Sequence, residues 1–375
     1  MNAKKRPGVL EVMAFGCEAI GEIDPQGLAL TYWFDTPPAG EPGPVRIRFT
    51  GRHASVKGRP GAGETFSAVE TVDVIPGTGP IAVTARVEGI RSGEWLVTAT
   101  PLGNKAQQHR RSGRSRVPDL AGHALESNSG RTTYAPVISV LAPGARLGAW
   151  PMFVGLGLLV GLAVQGVVAD HLGLRVWPTF VISILASVAG LVGSKLYYAI
   201  GHYLQGERRL RRLLSGSCIQ GFVLGAVAAL AVGVRVGHLP LGSELDVTAP
   251  PLMFGMSLGR YGCFFGGCCA GRPTSSRWGL WSSDRRVGMR RVPVQLFESS
   301  VALAIGVAAL LALWFSKPAP AGTVFVGVIA AYTLGRQLLF PLRDCPRHIA
   351  HARRIMLVFS VVALAADIAV AMLDR

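Results

Sequence analysis

Charged residues inside long apolar stretches of this chain include Arg260, Glu298 and Arg336. A charge near the middle of an apolar span costs about 2.5–3.5 kcal/mol on insertion scales, so such residues normally face a wet cavity or a bundle interior. Two guanidinium groups with one carboxylate leave net positive charge, and a guanidinium is planar, permanently ionised and rich in paired donors. That combination suits a phosphate, the plainer alternative being a structural arginine–glutamate pair. Around Arg260 runs the densest motif, Ser257 to Leu280, in which Gly259, Gly262, Gly266, Gly267 and Gly271 surround Cys263, Cys268 and Cys269. Glycines let the backbone leave helical geometry and approach a ligand closely, or they serve helix packing. The spacing C-x4-C-C lacks the C-x2-C units and nearby histidine of a zinc site, so the sequence predicts no metal and no other cofactor there. A buried thiol is commonly a small apolar filler, and a nucleophilic Cys263 or Cys268 would need a neighbouring cation such as Arg260. Cys17, Cys218 and Cys345 are scattered and support no disulfide framework.

These residues need elements to position them. Apolar stretches of about 20 residues, long enough to cross a hydrocarbon core of roughly 30 Å, fall near 148–169, 177–200, 217–236, 250–269, 294–315, 322–341 and 355–373. The expectation is a multi-pass α-helical membrane protein with seven transmembrane helices. Lys195 and Asp367 sit close enough to span ends to snorkel, and Trp150, Trp177 and Trp314 fall where interfacial anchors do. Half of the 375 residues are hydrophobic and 16% are charged, which argues against a soluble enzyme. Of the net charge of +16, an excess of 4 precedes Leu147 and 12 follows it, in the more apolar part. Nucleic-acid binders carry their positive stripe on a solvated face, so nucleic acid is not the expected partner.

The first residues have a basic start but no apolar run ending in a cleavage site, so no signal peptide is read. Residues 1–103 contain LALTYWF, VRIRF, ETVDVI, IAVTARV and EWLVTAT between Gly/Pro/Asp clusters, the pattern of an all-β, sandwich-like domain. Residues 104–147 are rich in Arg, Ser and Gly and read as a basic flexible linker, either solvated or touching anionic headgroups. Residues 148–375 form the membrane domain.

The stretch Gly259-Arg260-Tyr261-Gly262-Cys263-Phe264-Phe265-Gly266-Gly267-Cys268-Cys269-Ala270-Gly271 resembles the signature G-R-x-G-N-F-x-N-x-E-x-x-G of the prolipoprotein diacylglyceryl transferase family. Val292-Pro293-Val294-Gln295-Leu296-Phe297-Glu298 is similar to its H-P-x-Q-L-Y-E motif, and Tyr332-x3-Arg336 to its Y-x3-R pair. Ser194-Lys195-Leu196-Tyr197-Tyr198 looks like the family's A-R-L-x-Y stretch. The motifs keep the family's order, and the resemblance covers about residues 146–375. Departures touch the chemistry: the signature's two Asn become Cys263 and Gly266 and its Glu becomes Cys268. The H-G-G-L-x-G motif reads Gln220-Gly221-Phe222-Val223-Leu224-Gly225, replacing a proposed histidine base by a neutral amide, and the acid after the Y-x3-R pair is Phe340.

The resemblance implies a bacterial inner-membrane enzyme that moves the diacylglyceryl group of phosphatidylglycerol to the lipobox cysteine thiol of a lipoprotein precursor, releasing glycerol phosphate. Arg260 and Arg336 would hold the phosphate, and Glu298 would orient an arginine or accept a proton. Gly259, Gly262, Cys263, Cys268, Gln220, Gln295 and Tyr332 would line the substrates. A thiol near pKa 8.5 is only a few per cent thiolate at neutral pH, and with Gln220 in the third span no helper is evident. A non-catalytic phospholipid-binding or scaffold homologue is the second reading, and span count with buried charge alone would suggest a transporter. The partner of the β domain is unknown. Orientation rests on two opposed arguments. The arginine-rich loops share one side, which the positive-inside tendency makes cytoplasmic, whereas the family resemblance puts the signature outside.

Overall fold

The computed structural model describes residues 10–12, 26–102, 128–133, 135–136, 142–206, 208, 218–316, 320–344 and 350–373. Residues 104–127 of the basic stretch, most of the N-terminal region in which a signal peptide was sought, Cys17, Cys345, Arg209, Arg211 and Arg212 lie outside them. The chain forms two compact units: 1–153 with 260–297 and 339–346, and 154–259 with 298–338 and 347–375.

The first unit holds the strands β1 (Leu10–Val12), β2 (Gln26–Asp35), β3 (Gly43–His53), β4 (Thr65–Val74), β5 (Pro80–Glu88), β6 (Glu94–Leu102), β7 (Asn128–Thr133), β8 (Ala135–Pro136), β9 (Leu280–Ser283) and β10 (Val287–Arg291). They make two antiparallel sheets, β1-β2-β5-β10-β9, with β8 also on β2, and β4-β3-β6-β7. Alternation decides which faces meet. Ile47 and Phe49 of β3 point inward while Arg46 and Arg48 are exposed, and Trp95, Val97 and Ala99 of β6 face the same core. Leu28, Leu30, Tyr32 and Phe34 close it from the opposite sheet. β2 is buried on its other face too, where Trp33 stacks on Trp281 with ring centroids 5.7 Å apart.

The stretch read from sequence as an arginine-rich loop, 272–292, thus contributes two strands. Val287 and Met289 enter the core, and β10 pairs with β5 through Val287 opposite Val83 and Gly288 opposite Ala82. Gly288 is required there, because a Cβ would meet the Trp281 ring at 2.5 Å and the Pro143 carbonyl at 2.9 Å. Part of the stretch read as a linker likewise forms strands, Asn128–Thr133 as β7 and Ala135–Pro136 as β8.

Among the described residues there are also seven helices: α1 (Ala149–His171), α2 (Val176–Leu204), α3 (Ile219–Val236), α4 (Leu241–Phe265), α5 (Val294–Phe315), α6 (Thr323–Leu339) and α7 (Ala350–Leu373). By length and composition, five are able to cross a membrane: α1, α2, α5, α6 extended to Leu342, and α7 from Arg353. Their apolar side chains, among them Leu159, Trp177, Val192 and Phe359, are exposed, as lipid contact requires. α3 is shorter, and α4 is diluted by Glu244, Asp246 and Arg260. α4 begins at Leu241, not near 250 as hydropathy suggested, because its acids are satisfied within the second unit. Thr179 Oγ1 donates to the Glu244 carboxylate at 3.0 Å. Asp246 accepts from the backbone N–H groups of Gly322 at 2.7 Å and Phe325 at 3.0 Å, capping α6.

Small residues set the helix spacing. A Cβ on Gly193 would lie 2.5 Å from the Gly221 carbonyl, and Gly225 meets the Ala189 carbonyl just as closely, so α2 and α3 pack backbone to backbone. Two glycines of the third-span motif are therefore packing residues.

Candidate active site

In the first unit, α4 delivers the start of the signature. Arg260 is buried to 7% exposure, a position whose desolvation is tolerable only with compensating partners. Two residues on, Gly262 packs against α1: a Cβ would lie 3.1 Å from Phe153 and 3.2 Å from the Trp150 backbone. Gly262 thus serves helix packing, while a Cβ on Gly259 would meet nothing within 4 Å.

α4 stops at Phe265, and Gly267 at φ +65° turns the chain back. Cys268 N–H donates to the Cys263 carbonyl at 3.0 Å, and Cys269 adopts φ +55°. The Sγ atoms of Cys263, Cys268 and Cys269 consequently lie within 4.8 Å of one another. Gln295, 1% exposed on α5, donates from Nε2 to the Cys268 carbonyl at 3.1 Å and fixes this turn. The C-x4-C-C spacing was read only as lacking a zinc motif; here a helix end and a glycine turn bring the three thiols together.

Beyond the turn the chain is knitted on both sides. Arg272 N–H donates to the Leu342 carbonyl, Asp344 N–H to Ala270, and Val292 N–H to Arg272. Arg291, 2% exposed, organises the whole: Nη1 donates to Gly271 O at 3.1 Å and Asp344 Oδ2 at 2.8 Å, and Nη2 to Asp284 Oδ2 at 2.9 Å. Arg291, Arg343 and Asp344 were not singled out from sequence. An arginine among six in one segment carries no hydropathy signal, so only the fold distinguishes the buried one.

In the second unit, Glu298 on α5 is 1% exposed. Beside it Ser299 Oγ donates to the Ser257 carbonyl at 2.9 Å and its hydroxyl meets that of Ser257 at 2.9 Å, binding α5 to α4. Tyr332 belongs to an apolar cluster with Ala249, Met253, Ala302 and Val328. Arg336 follows one turn later on α6, half-buried, next to Gly335, where a Cβ would crowd Val301 at 2.8 Å. Gln220, at the start of α3, is exposed, and its amide oxygen accepts from the Cys218 thiol. Phe340 begins a short 3-10 turn after α6.

The family model for prolipoprotein diacylglyceryl transferase matches residues 136–373. The chain belongs to the prolipoprotein diacylglyceryl transferase family. Similar members include the phosphatidylglycerol–prolipoprotein diacylglyceryl transferase of Clostridium tetani, 25% identical over 211 residues that cover 54% of this chain and 84% of the relative. The enzyme of the same name from Thermosynechococcus vestitus is 30% identical over 196 residues, covering 49% and 72%. The phosphatidylglycerol–prolipoprotein diacylglyceryl transferase 2 of Streptomyces coelicolor is 35% identical over 188 residues, covering 46% and 55%. The matched segment spans the seven helices and the β9–β10 hairpin, so a family-matched hairpin is here continued by strands that precede the match.

Proposed function

We propose that this protein is a multi-pass inner-membrane transferase. It moves the diacylglyceryl group of phosphatidylglycerol to the lipobox cysteine thiol of a prolipoprotein and releases glycerol phosphate. The observation that carries the reading is the buried Arg260 at the head of the signature, within a family match extending over residues 136–373. Arg260 and Arg336 are the phosphate-binding groups, offsetting charge that grows on the leaving phosphate oxygen. Glu298 orients an arginine or accepts a proton, and Gly259, Gln295 and Tyr332 shape the substrate path. The scaffold reading is not favoured, since both arginines and Glu298 are kept.

We take the crossings to be seven, a number that the sheet's parity allows, as it also allows five. Hydrogen-bonded strands share one side of a membrane, so an even number of crossings separates β5 from β10. α1 and α2 supply two, and α3 and α4 then cross together or not at all. The bond from Arg272 N–H to Leu342 O sets the same condition on α5 and α6. The β-rich region, read as residues 1–103 joined through 104–147 to the membrane domain, serves in this scheme to hold the signature segment.

The test is purified protein in phosphatidylglycerol vesicles with a lipobox peptide, the peptide then weighed by mass spectrometry. A gain of one diacylglyceryl group is expected. No gain under conditions where a Clostridium tetani-type relative works would overturn the reading.

A further inference from the structure

The three thiols of the signature have a common focus that the reaction scheme leaves unused. Cys263 is 8% exposed, Cys268 and Cys269 are half-buried, and their Sγ atoms all lie within 4.8 Å of one another. Zinc–thiolate bonds of about 2.3 Å put ligand sulfurs roughly 3.8 Å apart, within about 1 Å of the 4.8 Å that bounds these three. Apolar fillers would not explain the backbone. Cys269 holds a left-handed φ of +55°, a conformation that costs a non-glycine residue about 1–2 kcal/mol and that turns its side chain toward the other two. Gln295 braces the Cys268 carbonyl through Nε2, and its Oε1 is buried with no hydrogen-bond partner among the described residues.

We propose that Cys263, Cys268 and Cys269 bind one Zn2+ ion, leaving its fourth position for an incoming thiol. Three protein ligands with one open position is the pattern of catalytic rather than structural zinc, and a thiol that coordinates zinc is deprotonated. The site supplies what Gln220 cannot. Resting on the transferase reading, the step balances as follows. The acceptor thiol loses its proton to water on binding the metal, and its sulfur forms a bond to the glyceryl carbon. The bond from that carbon to the phosphate oxygen breaks, and the electron pair leaves on glycerol phosphate. The thioether product is a weaker, neutral ligand and departs.

The experiment uses the full chain, purified in detergent without chelator and supplied with Zn2+ or Co2+. Elemental analysis is expected to give about one zinc per chain, falling at least ten-fold in Cys263→Ser, Cys268→Ser and Cys269→Ser, while Cys218→Ser retains it. The cobalt form is expected to show thiolate-to-metal absorption that shifts when a lipobox peptide is added and not when its cysteine is serine. Equal metal content in the parent and the triple serine variant overturns the proposal, as does a disulfide among the three cysteines in the protein as purified. Diacylglyceryl transfer at an unchanged rate by metal-free protein overturns it and leaves the transferase reading standing. Metal and a peptide-dependent cobalt shift with no transfer uphold the site and overturn the transferase reading.

Discussion

Val287 sits directly opposite Val83 in an antiparallel pair of strands. One residue belongs to the segment that follows the signature, the other to the N-terminal β-rich region. The sheet they share makes the region part of the scaffold of the signature segment, since the turn at Gly266–Gly267 and the hairpin are joined further: Arg285 Nε donates to the Gly266 carbonyl at 2.8 Å. Protease access to the β-rich region in spheroplasts therefore also reports the side on which the signature turn lies.

That pairing tolerates no side chain at the next position. Gly288→Val drives a Cβ into Trp281 and the Pro143 carbonyl. The expected cost is about 1–3 kcal/mol of overpacking, or more because backbone is involved. A lowered thermal midpoint in detergent checks this, and an unchanged midpoint would mean that β10 is not fixed against β5.

Arg291→Ala leaves Asp284 and Asp344 without their shared cation and frees the Gly271 carbonyl. Both carboxylates are partly exposed, so the loss is expected near 2 kcal/mol, below that of a fully buried pair. Arg291→Lys recovers less than half, because one ammonium lacks the fork that reaches two carboxylates. Unfolding midpoints of the three proteins decide it.

Arg260→Ala and Arg336→Ala are each expected to lower diacylglyceryl transfer at least 100-fold, the scale seen when one group that stabilises a developing oxyanion is removed. Phe340→Ala is expected to stay within ten-fold. A single-turnover mass assay with phosphatidylglycerol separates these outcomes.

Gln220→Ala is expected to change transfer less than about three-fold, since the amide is exposed and its oxygen is engaged by Cys218. A 100-fold loss in the same assay would give Gln220 the place of the family's histidine.

Gly225→Leu forces α2 and α3 apart at the Ala189 carbonyl. The expected outcome is loss of most monodisperse protein on size-exclusion chromatography, whereas Gly201→Leu, where a Cβ would meet nothing within 4 Å, leaves the yield unchanged.

Most of the helices were legible as apolar runs of about 20 residues, and β2 to β6 as short runs rich in β-branched and aromatic residues between Gly/Pro/Asp clusters. The N-terminal part of α4 was hidden because Glu244 and Asp246 depress hydropathy, and the hydroxyl and backbone donors that satisfy them come from Thr179, Gly322 and Phe325, distant in sequence. The β9–β10 hairpin was hidden for a related reason: Val287 and Met289 alternate among arginines, and the strand that completes the pattern is β5. Arg260, Glu298 and Arg336 stood out because charge in an apolar run is rare. The convergence of the three thiols did not, since it depends on where α4 stops and on two left-handed residues, Gly267 and Cys269.

The join between β5 and β10 also dictates an order of events during synthesis. Their partner residues are separated by roughly 200 positions, so β5 leaves the ribosome with one edge open and keeps it open while four helices are made and inserted. An unpaired edge strand is a template for association with other chains. Newly made N-terminal segments are thus most vulnerable to aggregation, and most in need of a chaperone, during the interval before residues 280–291 emerge.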